Sequence, residues 1–178
     1  MLNQKFEEFL NRQTDNAESE SIDWDKERDD WIGYLELFYS SIQSFLKPYI
    51  EGRKIKIAYG EKKVFEENIG EYEAKNAIIF FGSNKVKLEP IGTNLIGVKG
   101  RVDLIGPNGK VKFVLVNRDA NAPKIHKRVG ISEPPLPEEK RPDMKSWAWK
   151  IATSPPNIRY FEFEQDSFFD ALMEVANG

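Results

Sequence analysis

Apolar residues recur along this chain in two rhythms, one helical and one extended. Between Asp23 and Ile50, in "DWDKERDDWIGYLELFYSSIQSFLKPYI", the residues Trp31, Leu35, Phe38, Ile42, Phe45 and Tyr49 follow one another in steps of four and three. That spacing draws one continuous stripe on a helix and predicts the main helix of the fold. Asp23 or Ser21 can cap its start, and the acidic first turns suit the helix dipole. Pro48 disfavours helical geometry at Lys47 and Gly52 follows, so the helix is expected to end near Leu46. A second apolar set, Trp24, Ile32, Tyr34 and Leu37, suits a helix covered on two sides or a protein interface. Upstream, "KFEEFL" predicts a short amphipathic helix with Leu2, Phe6, Phe9 and Leu10 on one side, and "NRQTDNAESESID" a loose connection.

From Lys54 the period drops to two. "KIKIAY", "KVFEENIG", "YEAKNAIIFF", "KVKLEPIG", "LIGVKGRVDLI" and "KVKFVLV" read as short strands, with turns expected at Gly60, Gly70 and "GSN" (82–84). No connection between them holds a crossover helix, which predicts an antiparallel meander. Residues 117–146 break the pattern with polar, basic and Pro-rich sequence, the kind of long loop that is usually functional or mobile. "WAWKIAT" and "IRYFEFE" then supply two more strands. "SFFDALMEVAN" closes the chain as a helix, with Ser167 and Asp170 at capping-box spacing and Phe168, Phe169, Leu172 and Met173 facing inward. The expected fold is one α+β domain over residues 1–178: a twisted antiparallel sheet of six to eight strands, with a long N-terminal and a short C-terminal helix packed on one face. Its parts are a helical region (1–50), strands (54–116), the loop (117–146) and two strands with the closing helix (147–178).

Composition changes this picture little, since 40% hydrophobic and 12% aromatic residues in 178 are globular values. Charge changes it more. The formal net charge of -3 gives no overall attraction to polyanions, but residues 1–30 are strongly acidic while Lys99 to Arg128 is basic. Either the acidic ends pack near the basic middle, or a basic face meets an acidic partner.

The candidate chemistry is narrow. The absence of cysteine removes disulfides, thiol nucleophiles and thiolate metal sites. His126 is the only histidine, which rules out two-histidine zinc motifs and confines any Ser–His–Asp triad to the basic loop. The start of the chain lacks the basic and apolar regions of a signal peptide, and no run approaches a membrane span, so a cytoplasmic, membrane-free protein is expected. Gly92 and Gly97 have the four-residue gap of a phosphate loop, but Val98 stands where its lysine belongs and Lys99 is followed by Gly100.

"GRVDLIGPNGKVKFVLVNRD" resembles the hairpin of metal-dependent nucleases of the PD-(D/E)xK type, with Asp103 in the first carboxylate position. Asn117-Arg118-Asp119 replaces their Glu-x-Lys, and an amide is a poor ligand for a hard cation. Otherwise Asp103 is expected to face solvent, paired with a lysine such as Lys112. The nucleic-acid alternative uses the basic segment 99–128 with Trp147 and Trp149 as stacking platforms. The leading expectation is a non-enzymatic binding protein, inhibitor- or immunity-like in type, with a protein partner and neither cofactor nor metal; acidic patches at both termini could meet a basic partner, with the long loop as the adaptable element. Its candidate site comprises Arg101 and Asp103 on the sheet, Arg118, Asp119, His126, Lys127 and Arg128 in the loop, and Trp147 and Trp149.

Overall fold

The computed structural model describes residues 4–19, 22–93, 95, 98–123 and 147–177. In chain order these form α1 (Gln4–Ser19), α2 (Trp24–Glu51), β1 (Ile55–Glu66), β2 (Gly70–Phe81), β3 (Asn84–Gly92), β4 (Gly100–Gly106), β5 (Gly109–Asn117), β6 (Trp147–Ala152), β7 (Tyr160–Glu162) and α3 (Gln165–Ala176). The strands make one seven-stranded sheet in sequence order, every neighbouring pair antiparallel. This is the expected α+β meander.

The helical stripe explains where α2 sits. Trp31, Leu35, Phe38 and Ile42 are fully buried, joined by Tyr34, Tyr39 and Leu46. Phe38 is the hub, with ring centroids 4.7 Å from Trp149, 5.2 Å from Phe113 and 5.1 Å from Phe163. Two hydrogen bonds fix the helix in place: the Trp149 indole donates to the Tyr34 carbonyl at 3.0 Å, and the Tyr39 hydroxyl to the Lys75 carbonyl at 2.8 Å. Burial and the neighbouring Tyr59 and Glu36 push the Tyr39 hydroxyl well above its ordinary pKa, so it stays a donor. Of the second apolar set, Tyr34 is buried but Leu37 is 62% exposed.

Asp23 is the N-cap, its carboxylate accepting from the Lys26 N–H at 3.1 Å. The far end departs from expectation. The helix runs through Pro48 to Glu51, because its last turn is held from outside: Ile50 packs on the core and the Tyr49 ring lies 5.6 Å from Phe169. A Schellman motif closes it, with Lys54 N–H bonded to the Tyr49 carbonyl and Arg53 N–H to that of Ile50. Arg53 takes the left-handed position (φ 58°) that glycine usually fills. α1 is also longer than expected, since residues 11–19 contain neither glycine nor proline to stop it.

β1 runs straight through the expected turn at Gly60, which lies opposite Asn76 and so close to it that a Cβ would come within 2.8 Å of the amide oxygen. β1 and β2 pair along their whole length, but β2 and β3 pair only from Ala77 to Phe81. The outer half of the hairpin is therefore a two-stranded arm. Ile57 and Ile79 point to the core near its base, whereas Val64, Tyr72 and Ala74 do so in the arm. The strong twist of a two-stranded ribbon accounts for the change of side. Buried Glu66 pins the tip, accepting from the Tyr72 hydroxyl (2.6 Å), the Thr93 N–H (2.7 Å) and the Thr93 hydroxyl (3.0 Å). The Trp31 indole N–H makes no well-formed hydrogen bond among the described residues, although it sits by the Tyr72 hydroxyl.

α3 begins at Gln165, earlier than expected. The Glu164 N–H donates to Ser167 Oγ at 2.9 Å, so Ser167 closes the cap rather than opening it. Phe168, Ala171, Leu172 and Val175 face the core, while Met173, expected inward, is 53% exposed. Gly106 packs against the Val175 carbonyl, and the Asn108 N–H donates to that carbonyl at 2.9 Å, so the turn after β4 caps the end of α3.

Gly100 lies flat against the Trp31 ring, where a Cβ would overlap the indole. Gly100→Ala should therefore lower unfolding stability by about 1–3 kcal/mol through overpacking, measured as a shift of the urea midpoint with an unchanged slope.

Candidate binding surface

Strand pairing assigns every sheet residue to one of two faces, because directly opposed residues share a face and neighbours along a strand alternate. The inner face, carrying Leu88, Val102, Leu104, Phe113 and Trp149, lies under α2 and α3. The outer face is different in kind. Lys56 lies on it from β1, Lys85 and Lys87 from β3, Arg101 from β4, Lys110 and Lys112 from β5, and Lys150 from β6, and Lys62 joins them through its ion pair with Glu89. Against these eight cations stand Glu89, Asp103 and Glu162, of which Asp103 is buried; Glu66, in the arm where the strands change side, turns with Tyr72 toward the core. A chain of net charge -3 thus carries a surplus of five positive charges on one sheet face.

The carboxylates are organised as a ladder. Arg101 folds along its own strand onto Asp103, with Nε 2.6 Å from one oxygen and Nη2 2.7 Å from the other. This bidentate, charge-assisted geometry is the strongest form of such a pair, and Lys110 stands 3.7 Å away. Glu89 lies directly opposite Asp103, where two carboxylates would repel. It is neutralised by Lys87 beside it and by Lys62 at 3.7 Å. The Lys87 hydrogen bond in particular, with Lys62 assisting against partial burial, holds the Glu89 carboxyl below the ordinary carboxylate range. Further along, Lys150 is buried, donating to the Ala120 carbonyl and pairing with Glu162, each at 2.9 Å. Segments 118–123 and 153–159 reach this part of the face: Ala120 and Ile158 pack on a small apolar cluster of Val114, Val116 and Tyr160.

The residues singled out in the sequence do not converge on one spot. Arg101 and Asp103 lie on the outer face, but the Asp103 side chain is only 4% exposed, not solvent-facing. Lys112 is its cross-strand neighbour, yet Arg101 holds the carboxylate because it reaches both oxygens from two residues away on the same face. Arg118 and Asp119 form an exposed turn, in which the Asp119 N–H donates to Asn117 Oδ1 at 3.0 Å. The Arg118 charge is felt by Tyr34 on the α2 side, where it opposes the upward push of burial and Asp30 on that hydroxyl. Trp149 is buried between Trp31 and Phe38. Trp147 is half-buried on the same face, with the Lys99 ammonium 5.2 Å from its ring centroid. His126, Lys127 and Arg128, and the loop from residue 124 to 146, lie outside the described residues.

Asp103 and Asn117, the pair on which the nuclease resemblance turns, point to opposite faces of their hairpin, since the partner of Asp103 on β5 is Lys112. Both Asp103 oxygens are occupied by a guanidinium. Among the described residues no group of three acidic or histidine side chains is placed to hold a metal ion, and no helix is long and apolar enough to cross a membrane. Lys99, of the basic middle, pairs with Glu27 of the acidic start at 3.4 Å, so the two regions do meet. Among the outer-face residues missed in the sequence are Lys62, Lys87, Glu89 and Lys150. Alternation in "KVKLE" and "KVK" hints at them, but only the strand order shows that they share a face.

Two other concavities are shallow. One, of about 360 Å³, lies between α2 and the arm and is lined by Glu36, Tyr59, Glu61, Glu73 and Lys75. There Lys75 is held by Glu36 at 3.1 Å over the Tyr59 ring, and Glu73 hydrogen-bonds Glu61 and raises its pKa. The other, of about 220 Å³, lies beside Glu66 and Phe65.

Asp103→Ala leaves the half-buried Arg101 guanidinium without its partner and should cost about 1–3 kcal/mol of stability. Adding magnesium should move the thermal midpoint of neither the variant nor the wild type. The lowered Glu89 pKa gives a second test. A carboxyl with a folded pKa below its unfolded value near 4.5 contributes stability above that pH, and loses it as pH falls through the lowered value. Glu89→Gln should therefore destabilise more at about pH 7 than at about pH 3, by urea midpoints at each.

Models of protein families, curated proteins and solved structures give no match to this chain, so its own surface is what speaks for its function.

Proposed function

We propose that this chain is a non-enzymatic binding protein that holds an acidic protein partner on the outer face of its sheet. The observation that carries the reading is the surplus of positive charge on that face in an acidic molecule. The cations stand on rigid strands, Asp103 and Glu89 are already neutralised by neighbours, and Lys87 and Lys110 are about half exposed. A fixed array of this sort steers an acidic surface into contact and sets its register. A polyanion such as single-stranded nucleic acid would meet the same charges. That reading is disfavoured by the position of the tryptophans: Trp149 is enclosed by the core, and both it and Trp147 stand on the inner face, so neither offers a stacking platform beside the lysines.

The test compares wild type with Lys87→Glu/Lys112→Glu as bait in a nuclease-treated extract of the native cell. A protein recovered by wild type and lost by the variant is the expected result. Recovery that is equal in both, or that vanishes on nuclease treatment, would sink the proposal.

A further inference from the structure

The protein carries, at its own N-terminus, a segment with the chemistry that the outer face would accept. In α1, Phe6 and Phe9 are 57% and 53% exposed, with ring centroids 6.3 Å apart and planes 20° from parallel. They form one apolar side, and the exposed carboxylates of Glu7 and Glu8 flank it. None of the side chains from Gln4 to Asn11 is buried. An amphipathic helix in this state is half of an interface.

The other half lies at the β1–β4 end of the outer face. Strand register puts Ala58 beside Ile78, and Ile105 one strand beyond Lys87. Phe80, 36% exposed, stands two residues along from Ile78. Lys56 and Lys85 flank Phe80, and Lys87 separates Ile78 from Ile105. The result is an apolar strip rimmed by lysines, the inverse of an apolar strip rimmed by glutamates.

We infer that α1 of one molecule docks on this strip of a second copy, Phe6 and Phe9 against Ile78 and Phe80, Glu7 and Glu8 against Lys85 and Lys56. The inference rests on the outer face being an acceptor of acidic protein surfaces, and it names the occupant. The single chain argues that the acceptor belongs to another molecule: Phe6, Phe9 and Phe80 are all exposed in it, so α1 does not lie on its own strip.

Sedimentation velocity on the full chain over a range of concentrations tests this. Association is expected in dilute buffer and should weaken about tenfold or more at about 0.5 M salt, where charge–charge attraction is screened within a few ångströms. Phe6→Ser/Phe9→Ser and, separately, Phe80→Ser/Lys85→Glu should each give monomers with unchanged circular dichroism. An equimolar mixture of the two variants should associate again, because it restores one intact helix and one intact face. A wild-type chain that is monomeric at every concentration overturns the inference, as does association indifferent to both variants. The Phe6→Ser/Phe9→Ser chain separates this result from the broader reading. If that variant still recovers a protein partner dependent on Lys87 and Lys112, the face is an acceptor whatever the fate of the self-association.

Discussion

The whole arrangement depends on α2 lying against one face of the sheet through Trp31, Phe38 and Trp149. That contact is large and dry, and each aromatic ring is placed by its neighbours: Phe38 touches rings from β5, β6 and the segment before α3, while the Trp149 indole is tied to the α2 backbone. Gly100 exists in that form because the Trp31 ring occupies the space a side chain would need. Once α2 and α3 are spent on the inner face, α1 is the one described helix left, and with the side chains of Gln4–Asn11 all exposed it does not cover the outer face. A sheet face without an apolar cover must be made of groups that tolerate water, and here those groups are predominantly lysines in a ladder with three carboxylates.

The elements most legible in the sequence are those with an unambiguous period. The three-and-four spacing from Trp31 to Ile42 places α2 and its buried side, and strict alternation places β5 and β6. Legibility fails where a distant contact overrides a local rule. Pro48 does not end α2, because Tyr49 and Ile50 are held by α3 and the core. Gly60 does not mark a turn, because it answers to Asn76 across the strand pair. Met173 and Leu37 look like core residues by type but fall on the wrong side of their helices. Of the candidate site, the sequence offered the charges but not their grouping. Arg101 and Asp103 share the outer face, whereas Arg118 belongs to a turn on the α2 side and Trp147 and Trp149 to the inner layer. Nothing short of strand order could sort them, since Lys62 and Glu89 meet across twenty-seven positions of chain.

Charge segregation is the property that joins fold to function. The acidic start of α2 and the basic β3–β4 connection meet at Glu27 and Lys99, so part of the imbalance visible in the sequence is settled inside the molecule. The remainder is not. The outer face keeps its cationic surplus, while exposed acids such as Glu7, Glu8, Asp25 and Asp29 stand on the helices. A molecule polarised in this way prefers encounters that bring unlike faces together, whether the acidic surface comes from a different protein or from another copy.

The long first strand adds a limit on how such encounters can proceed. β1 pairs on one side only among the described residues, so twelve residues of backbone form an open edge. An edge of that length would ordinarily recruit a strand from another molecule and grow into an aggregate. Lys56, Glu61, Lys62 and Lys63 stand along it, and the arm that contains its outer half twists away from the plane of the sheet. Edge-to-edge growth is thereby opposed, and any contact with another molecule is left to the two flat sides, where side chains and not backbone are presented.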